Sequence, residues 1–193
     1  MGLLRTFIAV DIPPGIQQAI QHNVDNLRKA IGDPVRWVPV HNIHLTLKFL
    51  GDVSQANVDL LTQMLRAEAD SCPSFDISIG GLDSFPNSKR PRVLFIGTHA
   101  PAELEALQHG IESAAARLGY EPDLRPFSPH LTIGRVRDTA SAADLQRIRK
   151  TLEEIKIDSL GTARVDSVHL YKSELKPTGS VYTKLFSAPL SIP

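Results

Sequence analysis

"HLTL" (His44–Leu47) returns as "HLTI" (His130–Ile133), 86 positions further along a chain of 193 residues. In a β-strand successive side chains point to opposite faces, so His44, Thr46 and Lys48 share one side while Ile43, Leu45, Leu47 and Phe49 share the other. His130 and Thr132 stand in front of Leu131 and Ile133 in the same way. Each copy thus offers an imidazole and a hydroxyl about 7 Å apart along a rigid element, at roughly 3.3 Å of rise per residue.

The contexts repeat as well as the motifs. "RTFIAVDI" reads as a strand, followed after Pro13 and Pro14 by a helix with Ile16, Ile20, Leu27 and Ile31 on one face. "VRWVPV" and "IHLTLKFLG" are extended, and a second helix carries Val58, Leu61, Leu65 and Ala69 before the strand "FDISIGGL". The second half runs through "PRVLFIGT", a helix opened by Pro101 with Leu104, Leu107, Ile111 and Leu118 inward, and "HLTIGRV". A helix capped by Ser141 and Asp144 follows, with "ARVDSVHLYKSEL" and "VYTKLFSA" as the closing strands. Phe7 precedes His44 by 37 positions, and Val93 precedes His130 by the same 37.

This spacing predicts a duplicated unit of roughly 90 residues, larger than a solenoid repeat. The expected fold is α+β: one domain over residues 1–193, made of two pseudo-twofold lobes at roughly 1–90 and 91–193. Two mainly antiparallel sheets with outer helices would enclose a central cleft. A parallel doubly wound sheet is disfavoured, because there is no Gly-rich strand-to-helix turn and no Walker A pattern.

Composition narrows the chemistry. Lys plus Arg number 21 and Asp plus Glu number 21, so there is no global field to draw in a long nucleic acid, and any such contact must be local. Cys72 stands alone, which excludes an internal disulfide and a multi-cysteine metal site and points to a reducing, cytoplasmic location. No apolar run reaches the roughly 18 residues of a membrane span. Gly2 and Thr6 match a short myristoylation pattern, but "RTFIAVDI" reads better as a strand that begins at once.

If the lobes are duplicates, the two motifs face each other as two imidazoles flanked by two hydroxyls. Histidine, with an ordinary pKa of about 6.5, allows one copy to accept a proton while the other donates one. A single H-x-T is more often a structural feature than a site; two in matching contexts point to catalysis. A metal centre is the rival, yet threonine is a poor ligand and His41, three before His44, falls on the opposite face. No metal and no cofactor are expected. Lys48 has the parity to face the cleft, although a strand-end lysine is usually solvated. Lys89, Arg90 and Arg92 gather in a loop that is either simply solvated or placed to steer a phosphate backbone, and Phe127 lies shortly before a motif, where an aromatic can stack on a ligand. Trp37 fits core packing better. His22, His99, His109 and His169 have no motif around them.

On "RTFIAVDIP", "RWVPVHNIHLTLKFLG", "FPNSKRPRVLFIG", "PHLTIGR" and "LYKSELKPTGSVYTKL", in that order, the chain resembles the two-histidine (2H) phosphoesterase superfamily. Within it, the resemblance is to the bacterial and archaeal RNA 2′,3′-cyclic phosphodiesterases, historically called 2′-5′ RNA ligases. It implies metal-independent opening of a terminal ribose cyclic phosphate to a 2′-phosphate, with His44 as acid, His130 as base, and Thr46 and Thr132 holding the phosphate. It also implies a phosphate contact from Arg135. Strict alternation puts Arg135 on the wrong face, a conflict that a bulge or bend at Gly134 would relieve. RNA ends or cyclic nucleotides are the implied substrates, without a membrane or an obligate protein partner. Spacing alone does not distinguish acid from base. ATP-independent ligation, another cyclic or 2′-5′ linked nucleotide, and a non-catalytic RNA-end binding module are the competing readings.

Overall fold

Prolines punctuate the start of the chain. Pro13 and Pro14 end β1 (Leu4–Asp11) and open α1 (Pro14–Ile31), whose Ile16, Ile20, Val24, Leu27 and Ile31 are buried. Gly32, at φ 80°, closes that helix in a backbone conformation that side chains resist. The computed structural model describes residues 2–177 and 179–192. Its remaining elements are β2 (Val35–Trp37), β3 (His44–Val53), α2 (Gln55–Asp70), β4 (Phe75–Phe85), β5 (Val93–His99), α3 (Ala102–Arg117) and β6 (His130–Val136). They continue with α4 (Ala142–Glu154), β7 (Ser159–Val165), β8 (Ser167–Lys176) and β9 (Gly179–Pro189). The Ser141–Asp144 pair forms a capping box on α4, each side chain accepting from the other residue's backbone N–H. No helix among the described residues is long and apolar enough to cross a membrane.

The expected α+β architecture is present, and its two antiparallel halves are continuous. The strand order is β7-β4-β5-β6-β3-β1-β8-β9, with β2 added to β6. The halves meet where β3 and β6 pair at Leu45↔Leu131. α2 packs on β8 and β9 and α3 on β3, while α1 and α4 pack together and α1 lies on β7. Each sequence repeat therefore keeps its first two long strands in one half-sheet and sends its first helix and last strand to the other: β4 joins β5, and β8 joins β1. A cut near residue 90 separates the sequence repeats but not the halves of the sheet.

Two bulges position the site. β1 pairs Ala9 with Thr46 and Ile8 with Lys48, so Leu47 is an extra residue on β3. β5 pairs Phe95 with Thr132 and Leu94 with Gly134, so Ile133 is the matching extra residue on β6. A bulge leaves two successive side chains on one face and reverses the parity of all that follow. After the first, Lys48 turns inward and Phe49 turns outward; after the second, Gly134 turns inward and Arg135 outward. A Cβ at Gly134 would lie 2.6 Å from Val35 Cγ1 and 3.2 Å from Trp37 Cε3, so the inward position is closed by β2 and admits only glycine.

The parity reversal corrects the expectation for Lys48. Instead of reaching the cleft it is 4% exposed behind the sheet, donating to Glu112 Oε1 of α3 at 2.6 Å and to the Glu121 carbonyl at 2.8 Å. Removing one member of a buried pair strands the other. Lys48→Met should lower unfolding stability by about 3 kcal/mol, measured by urea denaturation. Adding Glu112→Gln should recover much of the loss. A single variant as stable as the parent would contradict this role.

Candidate active site

β3 and β6 each begin on their histidine, and each imidazole is tied to the backbone just before its strand. His44 Nδ1 lies 2.8 Å from the Asn42 carbonyl, and His130 Nδ1 lies 2.7 Å from the Ser128 carbonyl. A carbonyl only accepts, so in both rings Nδ1 carries the hydrogen and Nε2 is the nitrogen free for proton exchange. The turn at Val40–Asn42 is itself anchored, since the Asn42 side chain donates to the Ser180 carbonyl at 2.8 Å. Extending the antiparallel register from Leu45↔Leu131 by one residue on either side sets His44 beside Thr132 and Thr46 beside His130. Two imidazoles and two hydroxyls thus share one face of the sheet. Thr46 and Thr132 are half-buried, and among the described residues neither hydroxyl bonds another side chain.

Aromatic rings wall each histidine. Phe7 of β1 stacks on His44 at 4.7 Å between centroids, and Tyr182 of β9 meets it edge-on at 5.3 Å. On the other side Phe85 of β4 lies edge-on to His130 at 4.8 Å, with Phe95 of β5 at 5.3 Å. Burial disfavours a charged ring and pushes both imidazoles below the ordinary histidine value. For His44 the Asn42 carbonyl and then Asp11 pull upward, and His130 pushes down further. For His130 the Ser128 carbonyl pulls upward while Arg135 pushes down.

Of the residues singled out in the sequence, the structure brings together His44, His130, Thr46, Thr132 and Arg135. Arg135 reaches this face through the bulge at Ile133, is exposed, and among the described residues has no carboxylate partner within ion-pair distance. Lys48 is removed from the group by its own bulge. Arg92 is bound to Asp138 at 3.1 Å beyond the end of the β5–β6 pair, on an exposed rim, and Lys89 and Arg90 lie in the exposed turn before it. Phe127 is half-buried and packs against the core, and Trp37 covers Gly134.

Several residues at the site carry no local signature. Asp11, the β1 register partner of His44, accepts from Tyr171 Oη at 2.5 Å and from Lys184 Nζ at 2.8 Å, and His169 Nε2 lies 3.4 Å away. They line, with His44 and Tyr182, a groove of about 820 Å³. The available signal was register: Asp11 lies on the same side of β1 as Phe7, and Tyr171 and His169 alternate on β8. Among the described residues no cluster of three or more His, Cys, Asp or Glu side chains is arranged to hold a metal ion.

Residues 13–177 match the family model described as the 2′-5′ RNA ligase superfamily. The chain is 32% identical over 182 residues to a Methanothermobacter thermautotrophicus protein named RNA 2′,3′-cyclic phosphodiesterase, covering 94% of this chain and 96% of that one. It is 34% identical over 183 residues to the Archaeoglobus fulgidus protein of the same name, with 94% and 98% covered. Among solved structures, one from Thermus thermophilus superposes with a TM-score of 0.81 at 27% identity, covering 96% and 97% of the two chains. E. coli LigT complexed with 3′-AMP superposes with a TM-score of 0.78 at 28% identity, covering 98% and 99%. With its paired H-x-T strands on one face of the sheet, the chain belongs to the 2′-5′ RNA ligase superfamily, the 2H phosphoesterases.

Proposed function

We propose that this protein is an RNA 2′,3′-cyclic phosphodiesterase that opens terminal ribose cyclic phosphates to 2′-phosphates by paired histidine catalysis without a metal. The observation that carries the reading is the matched anchoring of both Nδ1 atoms to backbone carbonyls, which leaves two Nε2 atoms beside two threonine hydroxyls on one face. The names of the relatives at 32% and 34% identity over nearly the whole chain support the substrate, as does the 3′-AMP held by LigT.

In the reaction His130 Nε2 takes a proton from water while the water oxygen attacks phosphorus in line with the P–O3′ bond. That bond breaks, and O3′ leaves with the proton from His44 Nε2, giving a free 3′-hydroxyl and a 2′-phosphate. Thr46, Thr132 and Arg135 donate to the non-bridging oxygens, where negative charge grows as the fifth oxygen approaches. The imidazoles end with their protonation states exchanged and reset through solvent. The single cysteine, Cys72, is buried and unpaired, which supports a reducing, cytoplasmic setting.

The test is incubation, in chelator, with an RNA oligonucleotide ending in a 2′,3′-cyclic phosphate, and product identification by phosphorus NMR. A 2′-phosphate is expected, and His44→Ala and His130→Ala should each lower kcat by about 10²- to 10⁴-fold. Full activity in either variant would overturn the mechanism. Ligated or unchanged RNA would overturn the assignment of hydrolysis.

The depressed imidazoles also have a thermodynamic signature. A histidine whose folded pKa lies below its unfolded value of about 6.5 binds its proton more readily after unfolding, so stability falls as pH drops from 6.5 toward the folded pKa. Melting temperature should therefore decline on acidification below about pH 6.5, and decline less steeply in His44→Gln. Parallel pH profiles for the two proteins would show that His44 is not the group responsible.

A further inference from the structure

The site is symmetric in its histidines but not in its charges. On β1 the residue opposite His44 is Asp11, whereas on β5 the residue opposite His130 is Gly97. The bulges break the symmetry a second time, since the outward residue after the first motif is Phe49 and after the second is Arg135. His44 thus stands by an anion, and His130 by a cation. Packing keeps the anion from being mirrored, because a Cβ at Gly97 would lie 2.9 Å from the Gly80 carbonyl oxygen.

The Asp11 carboxylate is held from two further strands. Tyr171 of β8 donates to Oδ1 and Lys184 of β9 to Oδ2. Burial, the largest single influence, raises its pKa, but the hydrogen bonds from Lys184 and Tyr171 together with the charges of His169 and Lys184 hold it below the ordinary carboxylate value. The same contacts raise the Tyr171 phenol well above its usual value, through burial and the adjacent carboxylate. The other titratable groups on the His44 side are His41 before β3, His130 on β6, His169 on β8 and Tyr182 on β9, with Arg164 and Asp166 at the β7 end of the groove. Arg164 is engaged by Ser74 and Asp76, and His169, pushed down by burial, is neutral near pH 7.

We propose that Asp11, clamped by Tyr171 and Lys184, is the positioning residue that makes His44 the proton donor and leaves His130 as the base, giving a pseudo-symmetric site one direction of proton flow. The inference rests on the cyclic phosphodiesterase reading for its consequence. Its electrostatic content is measurable in the free protein.

The experiment has two readouts on Asp11→Asn and Lys184→Met. Proton NMR titration of His44 should shift down by on the order of one pH unit in Asp11→Asn, as expected for loss of an opposite charge nearby. It should shift up in Lys184→Met, because a cation is lost while the carboxylate stays. The high-pH limb of the kcat profile, with the cyclic-phosphate RNA as substrate, should move in the same two directions. A purely structural role would lower activity at every pH without moving the limb. An unchanged His44 titration in Asp11→Asn, or movement of both variants in one direction, would overturn the proposal. Opposite titration shifts in a protein that does not open the cyclic phosphate would uphold the assignment of polarity while the substrate reading fails.

Discussion

The pairing of Leu45 with Leu131 is the constraint on which the site depends. Both leucines are fully buried, and β3 and β6 meet there to make one sheet of two halves. A shift of one residue at this joint would turn each histidine to the helix side, where Leu45, Leu47, Leu131 and Ile133 now pack. The apolar faces of the two motifs therefore hold the histidine faces in register. Interlacing strengthens the hold: α1 and β4 of the first repeat lie on the second half-sheet, and α3 and β8 of the second lie on the first. Separating the halves would expose surface from both repeats together.

One extra residue after each motif then decides which charges enter the cleft. Without the bulge at Leu47, Lys48 would face the site and Phe49 the core. With it, a lysine is consumed in an ion pair to α3 and an aromatic surface takes the outward position. The equivalent bulge at Ile133 hides a glycine and presents Arg135. Identical backbone irregularities thus yield an apolar wall on one side and a cation on the other, and the difference lies in one residue pair, Lys-Phe against Gly-Arg. Two like motifs can thus present different charges without a change of fold when the side chains at a parity switch differ.

What the sequence made legible was local or periodic. The two H-x-T pairs, the 37-residue spacing and the Ser141–Asp144 cap each lie within one element or one repeat, and Arg135 was accessible because Gly134 stood where a bulge was needed. Lys48 was misread because nothing in "HLTLKFLG" marks Leu47 as extra; the surplus exists only against β1. Tyr171 and Lys184 meet Asp11 across 160 and 173 positions of sequence, through pairings of β1 with β8 and β8 with β9. A side chain recruited by register at that range leaves no pattern for a reading of windows to find. The half-sheets, each built from strands on both sides of residue 90, are likewise set by long-range pairing.

The histidines are held under opposing influences. Stacking on Phe7 or lying against Phe85 and Phe95 removes water and penalises the imidazolium, whereas the carbonyls of Asn42 and Ser128 favour a ring that carries its Nδ1 hydrogen. Both effects act on both rings, and burial acts the more strongly on His44, which is more deeply enclosed than His130. Burial outweighs the carbonyls in both rings, and the nearby charges then act in opposite directions, Asp11 raising the pKa of His44 and Arg135 lowering that of His130. Asp11 and Arg135, both exposed, supply charges of opposite sign to the two sides, while the rings they act on are shielded by the aromatic walls. The aromatic walls and the charge pair therefore act on the same two rings, the walls favouring a neutral imidazole on both sides and the charges drawing the two sides apart.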